Sequence, residues 1–254
     1  MVGRALALIA TLMLLSGSAT IAQTPDLTTI RLISAPSDDM RPILYADKAT
    51  VPNAGVIVAA NSPIRSPLDL QGKVVACTAI GDIGYLGLRA MIDATGGDSA
   101  QVRWVEIPIS SVAVAIDQGR VDAGLSTEPF MTKDLKGGKV RFLVDMLAGN
   151  KTPILESAFY ATREYVAKNR DTVARFARVI REAAVYSNAH EEETVPLYAA
   201  FAGMEPAVAA QMHRTYTATE FDPRQIQPVI DYAAKYGLIP RTVDAKDLVA
   251  GAAR

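Results

Sequence analysis

One cysteine and two histidines in 254 residues leave too little material for a disulfide framework or a structural zinc site. Charge of either sign is not in excess: 26 Lys and Arg stand against 27 Asp and Glu. That balance gives no basic footprint for nucleic acid. Beyond the first two dozen residues every hydrophobic run falls short of the ~20 residues that span a bilayer. Internal repeats and low-complexity tracts are also absent. What is present is apolar material, 50% of the chain and spread along it, which excludes disorder and supplies a core for one large domain or two small ones. The expectation is a globular protein that needs no metal or cofactor.

The start of the chain has a different character. Arg4 precedes an apolar run from Ala5 to Leu15 that only Thr11 interrupts, and a small, polar stretch follows from Ser16 to Ala22. Thr20 and Ala22 stand where a signal peptidase reads small residues before its cut. Residues 1–22 are therefore expected to be a cleaved signal peptide, and the run is too short for an anchor. No cysteine follows the cut to carry a lipid. The expected product is exported and free.

The rest of the chain alternates between two patterns. Strands are expected over residues 29–35, 55–60, 73–78, 102–107, 121–126, 140–144 and 157–162. Helices are expected over 40–49, 83–94, 112–118 and 130–136, and from Arg163 onward everything reads as helical. Strands alternating with helices predict βαβ units and a mostly parallel sheet covered on both faces. In the helical tail, Val173, Phe176, Ala177, Ile180 and Ala184 make a stripe of period 3.6. Glu191–Glu193 favour a helix start and Gly203 a helix end.

Polar residues gather where strands hand over to helices. The loop Thr78-Ala-Ile-Gly81-Asp82 precedes a helix whose first amides lack partners. Its glycines, Gly81-x-x-Gly84-x-x-Gly87, do not have the spacing of a dinucleotide site, and Asp82 would repel phosphate. Asp82 is also an ordinary N-cap, a role compatible with lining a cleft. Glu128-Pro129 lies at the carboxyl end of a parallel strand, where α/β sheets bind ligands, but it reads equally well as a helix start. Ser37-Asp38-Asp39 reads most simply as a cap for the helix that follows. Ser110 sits in another strand-to-helix loop. Hydrolytic catalysis has no Gly-x-Ser-x-Gly, and His190 and His213 fall in the helical tail. Cys77 and Trp104 read as core.

Several segments together carry a resemblance: Ser62-Pro63-Ile64, Asp69-Leu70-Gln71-Gly72-Lys73-Val74, Gly119-x-Val121-Asp122-Ala123, Glu128-Pro129-Phe130, Asn188-Ala189-His190 and Ala234-Lys235-Tyr236-Gly237-Leu238-Ile239. In this order they resemble the periplasmic substrate-binding proteins of nitrate/sulfonate/taurine-type ABC importers, and the fold-related thiamine-pyrimidine synthases. The resemblance implies a two-lobed α/β periplasmic-binding-protein fold of type II. It also implies a periplasmic location, with a small solute held between the lobes and delivered to an ABC permease in the inner membrane. Residues 23–61 with 157–254 would form the first lobe and 62–156 the second. By the same analogy Ser37, Asp38 and Asp39 face the cleft from the first lobe, and Thr78, Gly81, Asp82, Ser110 and Glu128 from the second. One departure stands out. The helix expected over 40–49 joins the strand at 55–60 directly, where the family has further strand–helix units, a shortfall of about 60 residues at ~30 per unit. The first lobe is therefore expected to be incomplete.

The candidate cleft residues include Asp38, Asp39, Asp82 and Glu128 and no Lys or Arg, so a cationic or polar-neutral ligand is expected over an anion. Arg163, just after a strand, is the residue that opposes this. Two other readings compete with a binding protein. A synthase-like enzyme is disfavoured by the signal peptide and by the lone cysteine. The other is a binding-defective truncated paralogue or a periplasmic sensor.

Overall fold

The structure is a computed structural model that describes residues 18–20, 31–33, 53–147, 154–212 and 217–248. Ser37, Asp38 and Asp39 lie outside the described residues, as does the helix expected over 40–49. Strands β1 (Ser18–Thr20) and β2 (Arg31–Ile33) pair antiparallel, with Ala19 opposite Leu32. They belong to a unit that ends at Pro36. β2 falls inside the strand expected over 29–35, and β1 falls inside the expected signal peptide.

The second unit is built on a five-stranded sheet of β3 (Ala54–Ala59), β4 (Val74–Cys77), β5 (Arg103–Glu106), β6 (Ala123–Thr127) and β7 (Val140–Val144), in the order β5-β4-β6-β3-β7. β4 runs parallel to β5 and β6, while β3 runs antiparallel to both β6 and β7. Four strands thus share one direction, as expected, and β3 alone opposes them. β3, which the expected division placed with the first lobe, lies between β6 and β7 in this sheet, with ladder partners on both edges.

Period-two alternation sorts the strands onto two cores. Val56, Val58, Val75, Cys77, Ala123 and Leu125 face one side, where Tyr85, Leu86, Leu88 and Ile92 of helix α1 (Ile83–Ala94) cover them. Ile57 and Ala76 face the other, beneath Val112, Ala115 and Ile116 of α2 (Val112–Asp117). The sheet is covered on both faces, as the βαβ pattern required. Helix α3 (Phe130–Lys136) links β6 to β7.

The glycines of α1 serve packing. A Cβ on Gly87 would lie 2.6 Å from the Met146 carbonyl oxygen and one on Gly84 2.8 Å from Leu125 Cδ1. Those two positions let the helix approach the strand-end segment closely. Only Gly81, at φ +99°, uses the conformational freedom of glycine in the loop itself.

Beyond β7 the chain is helical: α4 (Arg163–Lys168), α5 (Arg170–Ala189), α6 (Glu191–Ala202), α7 (Pro206–Ala209) and α8 (Gln227–Lys235). The strand expected over 157–162 is not formed. Residues 158–162 are exposed, and they have no ladder partner among the described residues. Of the apolar stripe on α5 only Ala184 is fully buried. Val179, Val185 and Tyr186 on that helix and Leu197 and Phe201 on α6 are exposed. No helix of the described residues is long and apolar enough to cross a membrane.

Candidate functional site

The carboxyl ends of β4 and β6 lie side by side, because Val75 pairs with Ala123 and Ala76 with Gly124. From β4 the chain enters the loop 78–82. Asp82 holds that loop from both sides: Oδ1 accepts from the Tyr85 amide at 2.7 Å and Oδ2 from the Ala79 amide at 3.1 Å. Glu106, at the end of β5, accepts from the Ile80 amide at 2.7 Å. Both acids therefore fix the loop. The amides of Ile83 and Gly84 are left without acceptors among the described residues, as the first turn of a helix requires, and so is the amide of Gly81, just before the cap. Thr78 is exposed, and Ile80 is 53% exposed.

Glu128 accepts hydrogen bonds at the start of α3. It is only 2% exposed, and its carboxylate accepts from the Thr132 amide at 3.0 Å and from the Thr132 hydroxyl at 2.6 Å. It starts α3 from beneath. Its own amide donates to the Asn53 carbonyl at 2.8 Å, which ties the end of β6 to the start of β3. Asp122 is likewise structural, since its carboxylate accepts from the Val74 amide at 2.8 Å.

Of the eight residues expected to face a cleft, the structure places Thr78, Gly81, Asp82, Ser110 and Glu128 at carboxyl ends of neighbouring strands. Ser37, Asp38 and Asp39 lie outside the described residues. Ser110, in the turn Ile109–Ser111 before α2, is exposed. Sequence reasoning missed Leu238. Helix α8 ends at Gly237, whose φ of +76° lets the Leu238 amide turn back to the Ala233 carbonyl at 2.8 Å, a glycine C-cap. Leu238 then covers the loop, 3.1 Å from where a Cβ of Gly81 would stand, while remaining 44% exposed. The signal was the Tyr236-Gly237-Leu238 segment, read as part of the family resemblance and not as a cover for the loop.

A polar clasp holds α8 on α1. Lys235 Nζ and the Tyr236 hydroxyl each donate to Asp93 Oδ2 at 2.8 Å, and the Ser99 amide donates to Oδ1 at 2.9 Å. Arg89 lies 4.0 Å from the Tyr236 ring centroid. Burial alone would raise the Asp93 carboxyl, but the hydrogen bonds from Lys235, Ser99 and Tyr236 outweigh it and hold the group well below the usual carboxylate range.

Cys77 lies under the loop, fully buried. Burial first, then the charges of Asp82 and Glu106, push its thiol up to about 12. Thiolate is the reactive form, so native protein is expected to resist a thiol reagent at pH 8 and react fully in denaturant. Stoichiometric labelling of the native protein would contradict this placement. Separately, a cavity of about 450 Å³ lies between Arg224, Gln227, Asp231 and the segment 242–246. Its Gln227 is engaged with Asp231 and with the Val243 carbonyl. No group of three metal-ligating side chains occurs among the described residues.

Residues 13–194 match the family described as NMT1/THI5 like. Over 241 residues the chain is 28% identical to an Escherichia coli K12 protein named for binding aliphatic sulfonates, covering 92% of this chain and 73% of that one. The fold resembles the crystal structure of the periplasmic aliphatic sulphonate binding protein SsuA from Escherichia coli. The TM-score is 0.66 at 24% identity, over 84% of this chain and 74% of that one. It also resembles the alkanesulfonate-binding SsuA from Xanthomonas axonopodis pv. citri bound to MOPS. There the TM-score is 0.67 at 19% identity, over 82% of this chain and 72% of that one. At those identities the likeness establishes the fold. About a quarter of each relative has no counterpart here.

Proposed function

The chain belongs to the NMT1/THI5-like family, and from that premise we propose that it is an exported solute-binding protein of an ABC importer whose solute is a small organic sulfonate. It is a binding protein and not an enzyme, in keeping with the names of its relatives. The signal peptide takes the chain to the periplasm, and an inner-membrane permease receives the solute.

The observation that carries the sulfonate reading is the state of the acids. The expectation of a cationic ligand rested on four carboxylates. Two of them, Asp82 and Glu128, are engaged with backbone amides and with Thr132, and the other two lie outside the described residues. What the loop offers a solute is donors: the amides of Gly81 and Ile83, which suit an anion's oxygens. Beside them Ile80 and Leu238 supply apolar surface for an alkyl chain. The relatives' names supply the same chemistry, an anionic head on an aliphatic tail.

A cationic or polar-neutral ligand, such as an amine or aminopyrimidine, is the competing reading. It is favoured by the absence of Lys and Arg from residues 78–82 and 107–111. A thermal-shift panel decides between them. Alkanesulfonates of two to eight carbons are expected to raise the melting temperature, with the effect growing with chain length. A ligand at 100 times its Kd adds about 2.7 kcal/mol. Selective stabilisation by alkylamines or aminopyrimidines, with none by sulfonates, would overturn the sulfonate reading.

A further inference from the structure

Ser126 is completely buried near the end of β6, and its hydroxyl has no hydrogen-bond partner among the described residues. A buried hydroxyl without a partner opposes folding, whereas alanine at the same place would not. Its position gives it a use. A Cβ on Gly124 would collide with Val112 Cγ1, so Gly124 and, two residues on, Ser126 face the side of the sheet that carries α2. Ala76 faces that side too, and Thr78 follows it by two residues. Continuing the register of Ala76 with Gly124 brings Thr78 beside Ser126. The turn Ile109–Ser111, with Ser110 exposed, lies against β6. Thr78, Ser110 and Ser126 thus belong to one corner of the sheet, at the carboxyl ends of its strands.

We propose that Ser126 is a ligand-contacting residue, its hydroxyl donating to an oxygen of the bound sulfonate when the Ile109–Ser111 turn lifts from the strand end. The inference rests on the sulfonate-binding reading and deepens it by naming a residue that the helix-start amides do not include. A neutral donor suits this place, because it adds no charge to a corner that must remain folded when the site is empty. The hydroxyl then serves ligand binding at some expense of stability in the empty protein.

The experiment compares the parent with Ser126→Ala, each melted alone and titrated calorimetrically with hexanesulfonate. The variant is expected to melt at the same temperature as the empty parent or higher, and to bind hexanesulfonate at least tenfold more weakly. A lower melting temperature for the empty variant would overturn the inference, since the hydroxyl would then have a structural partner such as a resident water. Unchanged affinity in a variant of a parent that binds would overturn the inference alone. A parent that ignores hexanesulfonate would overturn the ligand reading and the inference together.

Discussion

Glu128→Ala is expected to lower the unfolding free energy by about 2–4 kcal/mol, the sum of a lost helix-start acceptor and stranded buried donors. The substitution removes the acceptor for both the amide and the hydroxyl of Thr132, in a pocket where Glu128 is only 2% exposed. Helix α3 then starts without its acid, and the junction of β6 with β3 loses the side chain that sits beneath it. Glu128→Gln keeps one oxygen to accept from the Thr132 amide and is expected to lose less than half as much. Urea unfolding at pH 7 measures both. If Glu128→Ala were as stable as the parent but deficient in ligand binding, the residue would be a ligand contact rather than a helix anchor.

Asp93→Asn is expected to cost about 1.5–3 kcal/mol at pH 7, the range for hydrogen bonds to a charged group, with the lower end favoured because Lys235 is half exposed and solvent screens such a pair. The effect depends on pH with a definite sign. The Asp93 carboxyl is held below its ordinary value in the folded protein, so its contribution is complete above the unfolded value near 4 and fades as pH falls below it. Lys235 is raised by its bond to Asp93, so its share is complete below the unfolded value near 10.4 and fades as pH rises through the folded one. The difference between parent and variant should therefore be widest between about pH 4 and 10 and shrink towards pH 2. A difference independent of pH would mean that the clasp acts through packing alone. The variant should also loosen Leu238 over Gly81, since α8 is held to α1 through these bonds.

How far the sequence could be read depended on whether local chemistry decided the outcome. Helix α1 was legible to the residue, because Asp82 is a true N-cap and Gly96, at φ +89°, ends it. The bounds of α3 and β7 were equally clear from Pro129, from the paired glycines Gly137 and Gly138, and from an apolar run. The direction of β3 was not, since a short run such as Ala54–Ala59 states its burial and nothing about its neighbours. Residues 157–162 have strand-like composition, yet a strand exists only where a partner offers a ladder. Glu128 shows the same limit at the site. Position alone could not show the two bonds to Thr132 that tie it to the start of α3. Ser126 lies inside the candidate segment 121–130, but a serine in an apolar strand gives no sign of its own that its hydroxyl lacks a partner among the described residues.

The most direct test of the central claim is a crystal structure of the protein grown with hexanesulfonate. Sulfonate oxygens are expected within hydrogen-bond distance of the amides of Gly81 and Ile83, with the alkyl chain against Ile80 and Leu238. Sulfonate bound instead in the cavity beside Arg224 and Lys246, with the loop at Gly81 empty, would contradict it.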